Sequence, residues 1–202
     1  MHLDKALIIT PEIYEKCTIF GKSSVTSSAD KYAKRNQFDV EKIVKDIRNG
    51  KIAEELTRQV CLEQLPNLSE PDYNIYDKGN KSWDPDLRDL PLDIRVAVKS
   101  QDIESDINFG RSWVFQYGNG GKYDCDSGVF GKGDNSNHYV SFVSLNTPKR
   151  QGFIRAIVKV SWLHDNKLFK EMKKQSLRGN KLAVYYEDLE KVIATVLEEI
   201  EN

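Results

Sequence analysis

A short hairpin between residues 82 and 100 constrains the fold most strongly. Residues 82–87 have an extended pattern, residues 89–91 favour a turn, and residues 92–100 alternate as a strand. The apolar face of that strand contains Ile94, Val96 and Val98, and its other face contains Asp93, Arg95, Ala97 and Lys99. A strand of this kind needs a covering layer on its apolar side.

Helical periodicity precedes the hairpin. Asp39 is a good N-cap for a helix whose apolar face holds Val40, Ile43, Val44 and Ile47. We expect Gly50 to break or bend this helix. A second helical stretch, with Ile52, Ala53, Leu56 and Val60 on its apolar side, should end before Pro66. Residues 22–30 read as a polar loop and residues 74–76 as a short strand.

The second half of the chain adds strands and two helices. Strands are predicted at residues 112–117, 139–145, 153–162 and 182–186, a basic helix at 168–177 and an amphipathic helix at 188–200. Residues 118–138 contain six glycines and form a long loop. This order predicts a mixed α/β fold in one domain, residues 1–202, with an N-terminal extension at 1–38 and a core at 39–202.

Composition excludes several classes of protein. No apolar run is long enough for a membrane span, and the apolar stretch at residues 6–9 is too short for a secretory signal. The three cysteines are odd in number and widely spaced, which indicates a reducing, cytoplasmic setting without a disulfide framework or thiolate zinc site. The three histidines lack ligand spacing for zinc. Nucleotide-binding and serine-nucleophile motifs are missing from the sequence.

Charge is distributed unevenly although the net charge is only −1. Residues 149–181 hold ten basic and two acidic side chains, whereas the segment from Glu187 onward is mainly acidic. This asymmetry permits a cationic face for phosphate contacts. An ordinary solvated surface explains the same pattern.

Asp86 and Lys99 are the candidate chemical groups of the hairpin. Phosphodiester cleavage uses carboxylates to hold a hard cation such as magnesium, which polarises the phosphate and generates the hydroxide. A neighbouring lysine can orient the water or stabilise developing charge. A hairpin of this length can bring Asp86 and Lys99 to one edge of a sheet.

The pattern Pro85-Asp86 followed by Ala97-Val98-Lys99 resembles the PD-(D/E)xK nuclease superfamily, most closely its type II restriction endonucleases. The Ser100-Gln101 tail and the helical segment at residues 51–56 extend the resemblance, which covers residues 50–101. It implies a restriction-endonuclease-like mixed sheet flanked by helices. It also implies cleavage of double-stranded DNA with Mg²⁺ (Mn²⁺ as a substitute), and a homodimer, since two-fold symmetric sites call for two-fold symmetric proteins.

Ala97 departs from that pattern, because an acid is expected there. The helix at residues 51–56 offers two substitutes, Glu54 and Glu55; apolar residues two and six positions later fit Glu54 better. Asp93 shares the face of Lys99 but lies roughly 13 Å away along the strand. The remaining explanation for Ala97 is that the protein is an inactive DNA-binding or protein-interaction module on the same fold.

The expected site is therefore split between the hairpin and the upstream helix. Asp86 and Glu54 would bind the cation, with Glu55 and the Val98 carbonyl as further candidate ligands. Lys99 and Gln101 would orient the attacking water or the phosphate. The predicted DNA contacts are Lys122, Asn135, Lys170, Lys173 and Lys174, and Ser112, Trp113 and Gln116 are candidates to line the cleft.

Overall fold

Two long helices dominate the first part of the chain. In this computed structural model, which describes residues 6–33, 38–76, 86–117, 127–130 and 137–201, α1 spans Pro11–Ala33 and α2 spans Val40–Cys61. The Asp39 carboxylate accepts a hydrogen bond from the Lys42 amide at 3.0 Å, and so caps α2 as predicted. The helix continues through Gly50, so the predicted break at that glycine is wrong.

The loop predicted at residues 22–30 is also wrong, because these residues belong to α1. Ser24 is accommodated in the helix by donating its hydroxyl to the Phe20 carbonyl at 2.7 Å. α1 approaches α2 closely at Gly21, where an added Cβ would lie 3.0 Å from the Val44 carbonyl oxygen. Packing against a neighbouring helix, rather than local propensity, therefore holds this part of α1.

Eight strands and four further helices complete the described elements. The strands are β1 (Ala6–Ile8), β2 (Leu87–Asp89), β3 (Ile94–Asp102), β4 (Ser112–Gln116), β5 (His138–Asn146), β6 (Gln151–Lys159), β7 (Lys170–Glu171) and β8 (Lys181–Tyr185). The helices are α3 (Ile103–Phe109), α4 (Ser127–Phe130), α5 (Val160–Asp165) and α6 (Tyr186–Glu201). The predicted mixed α/β class is confirmed.

The strands form two sheets. The larger sheet has the order β1-β6-β5-β3-β2, in which only β3 and β5 run parallel. The smaller sheet has the antiparallel order β4-β8-β7. The larger sheet is thus mixed, with a two-stranded hairpin, β2–β3, at one edge and β1 at the other.

Each face of the larger sheet has its own apolar core. α1 and α2 cover one face, where Ile52 and Leu56 pack with Val143, Ile154 and other buried residues. The smaller sheet and α5 cover the opposite face, where Trp113, Phe115, Phe142 and Leu163 are fully buried. β3 lies between these layers, so its alternating side chains project into two different environments.

Three further predictions differ from the structure. Residues 74–76 form no strand, because the Asp72 carboxylate accepts hydrogen bonds from the Asn74 amide and the Tyr76 hydroxyl and so holds a local turn. The strand predicted to reach Trp162 ends at Lys159, where α5 begins. A short helix, α4, interrupts the predicted loop at 118–138.

The basic helix predicted at residues 168–177 is wrong as well. The segment contains β7, which pairs with β8, and a single 3₁₀ turn at Gln175–Leu177. The Tyr185 hydroxyl accepts a hydrogen bond from the Lys173 amide at 2.8 Å, and the Arg178 side chain donates to the Met172 carbonyl at 3.0 Å. These long-range bonds replace the local ladder of a helix.

Within the described ranges, no helix is both long enough and apolar enough to cross a membrane. Cys17 and Cys61 are buried free thiols.

Candidate active site

The β2–β3 edge positions the first candidate residue. β2 is only three residues long, so it pairs with β3 only as far as Val96. The Asp86 carboxylate continues the edge by accepting a hydrogen bond from the Val98 amide at 2.7 Å. Since the N–H and C=O of one strand residue point to the same neighbour, the Val98 carbonyl is directed toward the same edge as Asp86.

Glu54 approaches this edge from α2. Its neighbours Ile52, Ala53 and Leu56 are fully buried against the sheet, and Glu54 itself is only 7% exposed. The Lys51 ammonium donates a hydrogen bond to the Glu54 carboxylate at 2.6 Å. Lys51 is not among the predicted site residues; the sequence signal for its pairing with Glu54 is the i, i+3 spacing on one helix face.

Burial and the nearby negative charge of Asp86 raise the pKa of Glu54 from 4.5 to about 8, against the opposing effect of Lys51. Asp72 adds a smaller increase. Two carboxyl groups from different elements therefore lie close enough to repel each other when both are ionised. A bound cation would relieve that repulsion.

Glu55 has a different environment, although it is the adjacent residue. Its carboxylate accepts hydrogen bonds from the Tyr73 hydroxyl at 2.8 Å and from the Lys16 ammonium at 2.9 Å. It therefore ties α2 to α1 and to the segment that follows α2. Of the two predicted helix acids, Glu54 is the one whose pKa the charge of Asp86 raises.

Lys99 lies on the opposite face of β3 from Glu54. Its ammonium is 5.1 Å from the centre of the Phe115 ring, which belongs to the core beneath the smaller sheet. Its β5 register partner, Phe142, belongs to the same core. Ala97, two residues earlier, shares this face by strand alternation and contributes no carboxylate. The lysine and the buried glutamate are separated by the layer of the sheet.

Two other hairpin residues have local structural partners. The Gln101 side chain donates to the Gly110 carbonyl and accepts from the Ser112 amide, both at 2.9 Å, and so ties the end of β3 to the start of β4. Asp93 has a left-handed φ of 48°, and its exposed carboxylate lies 3.4 Å from the Arg95 guanidinium. Asp93 belongs to the hairpin turn and is not directed at the Asp86 edge.

The three residues predicted to line a cleft all lie on β4, and they differ in burial. Trp113 is fully buried, and its indole donates to the Val143 carbonyl at 2.9 Å, so it is a core residue and does not line a cleft. Ser112 is buried and Gln116 is half-buried on β4.

Three of the five predicted DNA contacts lie in the part of the chain that the structure describes. Lys170, Lys173 and Lys174 are exposed. The Lys173 ammonium lies 3.2 Å from the Glu187 carboxylate, and the Lys174 ammonium lies 5.7 Å from the centre of the Phe109 ring. Lys122 and Asn135 lie outside the described residues.

The donors at the β3 edge are all oxygen atoms: the carboxylates of Glu54 and Asp86 and the Val98 carbonyl. Oxygen donors of this kind suit Mg²⁺. In the part of the chain that the structure describes, no three His, Cys, Asp or Glu side chains form a metal-binding group. Among the described residues, the edge of β3 thus has two candidate carboxylate ligands, Glu54 and Asp86.

Comparisons of the chain with family models, with curated proteins and with solved structures found no match.

Proposed function

We propose that this protein is a Mg²⁺-dependent endonuclease that hydrolyses double-stranded DNA, with a restriction-endonuclease-like core and a split PD-(D/E)xK site. The observation that supports this best is the electrostatic coupling of Glu54, from α2, with Asp86, the residue before β2. The pKa of Glu54 is raised partly by the charge of Asp86. A helix glutamate beside the Pro-Asp aspartate is the arrangement that would compensate for Ala97.

In this proposal Glu54, Asp86 and the Val98 carbonyl hold the ion. The ion supplies Lewis-acid polarisation of the phosphate and a nucleophilic hydroxide at neutral pH. Glu54 would hold the ion in its ionised form, because a divalent charge would outweigh the repulsion of Asp86. Lys99, which lies on the opposite face of β3, would orient the attacking water at the strand edge, and Gln101 would position Lys99 by joining the end of β3 to the start of β4.

One observation favours the alternative function, an inactive DNA-binding or protein-interaction module. The Lys51 ammonium already pairs with Glu54 at 2.6 Å, where it partly neutralises the carboxyl group. A lysine in that place can substitute for a metal ion structurally without supporting hydrolysis. The two functions differ in whether Mg²⁺ displaces Lys51.

Cleavage of supercoiled plasmid in MgCl₂ tests the proposal. Glu54→Gln and Asp86→Asn should each reduce the cleavage rate by more than about 100-fold, since changes even in the outer shell of a metal site cost 10–100-fold. Glu55→Gln is the matched comparison: it alters the adjacent glutamate, whose partners are Tyr73 and Lys16, and should leave most of the activity. A wild-type protein that leaves the plasmid intact, with no activity gained by Ala97→Glu, would contradict the nuclease function.

Restriction-type cleavage of both strands also implies a homodimer in the cytoplasm. Sedimentation of the protein with and without duplex DNA measures the oligomeric state directly.

A further inference from the structure

The hairpin places two arginines directly opposite each other. Arg88 on β2 and Arg95 on β3 are register partners in an antiparallel pair. Side chains of such partners stand on the same face of the sheet, close together. Like charges in this arrangement repel, and this repulsion destabilises the hairpin.

Arg88 is held through its backbone, and the Arg95 side chain is partly buried. The backbone of Arg88 is held by Ser69, which accepts from the Arg88 amide through its hydroxyl at 3.0 Å and donates its own amide to the Arg88 carbonyl at 2.8 Å. The Nε atom of Arg95 is buried and has no hydrogen-bond partner among the described residues. A buried donor without an acceptor is unfavourable, and it calls for an acceptor that this part of the chain does not supply.

The acid nearest to Arg95 does not meet that need. The Asp93 carboxylate is 65% exposed and lies 3.4 Å from a terminal guanidinium nitrogen of Arg95, not from Nε. An exposed pair at this distance contributes little. His138, the β5 partner of Arg95, lies on the same face and adds another possible hydrogen-bond donor.

The arginine pair lies next to the candidate active site. By strand alternation, Arg95 shares its face with Ala97 and Lys99, and Arg88 follows Asp86 by two residues, roughly 7 Å along the chain. An anion bound between the arginines would lie beside the Asp86 edge, on the face that carries Lys99.

We propose that Arg88 and Arg95 form a phosphate-binding subsite that takes a backbone phosphate of the nucleic acid, adjacent to the phosphate at the Asp86 edge. This inference rests on the proposed nuclease function for its ligand. Paired guanidinium groups match the geometry of phosphate oxygens, and one phosphate accepts from both arginines and neutralises their repulsion.

Equilibrium binding of a fluorescein-labelled duplex, measured by anisotropy in EDTA over a range of NaCl concentrations, tests the subsite separately from cleavage. Arg88→Gln and Arg95→Gln should each weaken binding about tenfold, as the loss of a charge-assisted hydrogen bond predicts. Each should also lower the slope of log K against log salt by about one. Lys42→Gln, which removes one charge at the far end of α2, is the control and should bind like the wild type.

A second measurement does not depend on DNA. Inorganic phosphate, compared with chloride at equal ionic strength, should raise the thermal unfolding temperature of the wild type more than that of Arg95→Gln. Arg95→Lys, which keeps the charge but lacks the fork of donors, should restore the salt slope without restoring full affinity.

The outcomes separate the two proposals. Wild-type affinity and salt slope in both glutamine variants would overturn the subsite, whether or not the plasmid is cleaved. A wild-type protein that fails to bind the duplex would also overturn it. Loss of binding in the arginine variants of a protein that never cleaves DNA would support the subsite and refute the nuclease function.

Discussion

The charged groups that surround the two faces of β3 differ in sign. On the α2 face, Glu54 is buried and lies close enough to Asp86 for its pKa to rise. On the opposite face, the same strand presents Arg95 and Lys99, with Arg88 beside them on β2. The acidic groups therefore come from α2 and from the residue that precedes β2, whereas β3 itself supplies Arg95 and Lys99 to the opposite face.

This difference indicates where acidic and basic side chains from the two faces can form one site. Side chains on opposite faces of a sheet meet only at an edge, because the sheet itself separates them. The β2–β3 edge satisfies that condition, since β2 begins only at Leu87 and the side chain of the preceding residue, Asp86, accepts from the Val98 amide in place of a strand partner. A substrate lying along this edge would contact the acids on one side and the basic groups on the other.

The largest effect expected on the basic face comes from Lys99→Ala. If Lys99 contacts the attacking water, the rate of plasmid cleavage in MgCl₂ should fall by about 100-fold or more. Lys159→Ala, which alters the exposed lysine at the end of β6, is the matched control. Unchanged cleavage by Lys99→Ala would restrict the chemistry to the acidic face.

The acidic face predicts an unusual dependence of stability on pH. The pKa of Glu54 is 4.5 in an unfolded chain and about 8 in the folded protein. A raised pKa means that protonated Glu54 favours folding; this contribution is complete below pH 4.5 and is lost as the pH rises through 8. Its upper limit is about 5 kcal/mol.

Urea unfolding of the wild type and of Glu54→Gln between pH 5 and pH 9 measures this contribution. The glutamine variant lacks the titrating group, so its free energy of unfolding should increase relative to that of the wild type as the pH rises. Glu55→Gln should show no such divergence. Parallel pH profiles for wild type and Glu54→Gln would show that Glu54 is not held in its protonated form by the fold.

The smallest expected effect comes from a contact between α2 and the larger sheet. It tests whether the effect of Asp86 on the pKa of Glu54 depends on that contact. The hydroxyls of Thr57 and Ser141 are fully buried and lie 2.8 Å apart, joining α2 to β5. Thr57→Val leaves the Ser141 hydroxyl without this partner and should cost about 1–3 kcal/mol of stability, by urea unfolding. The pH dependence attributed to Glu54 should persist in this variant, because the helix keeps its apolar contacts. Its disappearance would mean that a small shift of α2 separates Glu54 from Asp86.

Local pattern predicted the elements whose residues agree with their tertiary environment. The Asp39 cap, the apolar face of α2, the alternation of β3, the runs of β5 and β6 and the closing helix α6 were all readable, because burial on one face imposes a period on the sequence. Patterning also placed Asp86 on the hairpin and Glu54 on the preceding helix as candidates for one site. It left the choice between Glu54 and Glu55 nearly open.

The failures occur where distant contacts outweigh local preference. The serine-rich part of α1 is helical because it packs on α2 at Gly21. The basic segment at residues 168–177 is not a helix, because β8 pairs with it and Tyr185 holds its backbone. Neither contact produces a period of apolar residues in the segment whose structure it determines.

By itself the sequence determined the class of the fold. It also determined the alternation that places Arg95 and Lys99 on the face of β3 opposite its apolar residues, because both results follow from the period of apolar residues. Only the tertiary structure decided which glutamate responds to the charge of Asp86, that Lys99 lies on the face opposite Glu54, and that Arg88 is the register partner of Arg95. Those outcomes depend on strand register and on the rotation of α2 against the sheet, which are set by contacts between residues far apart in the chain.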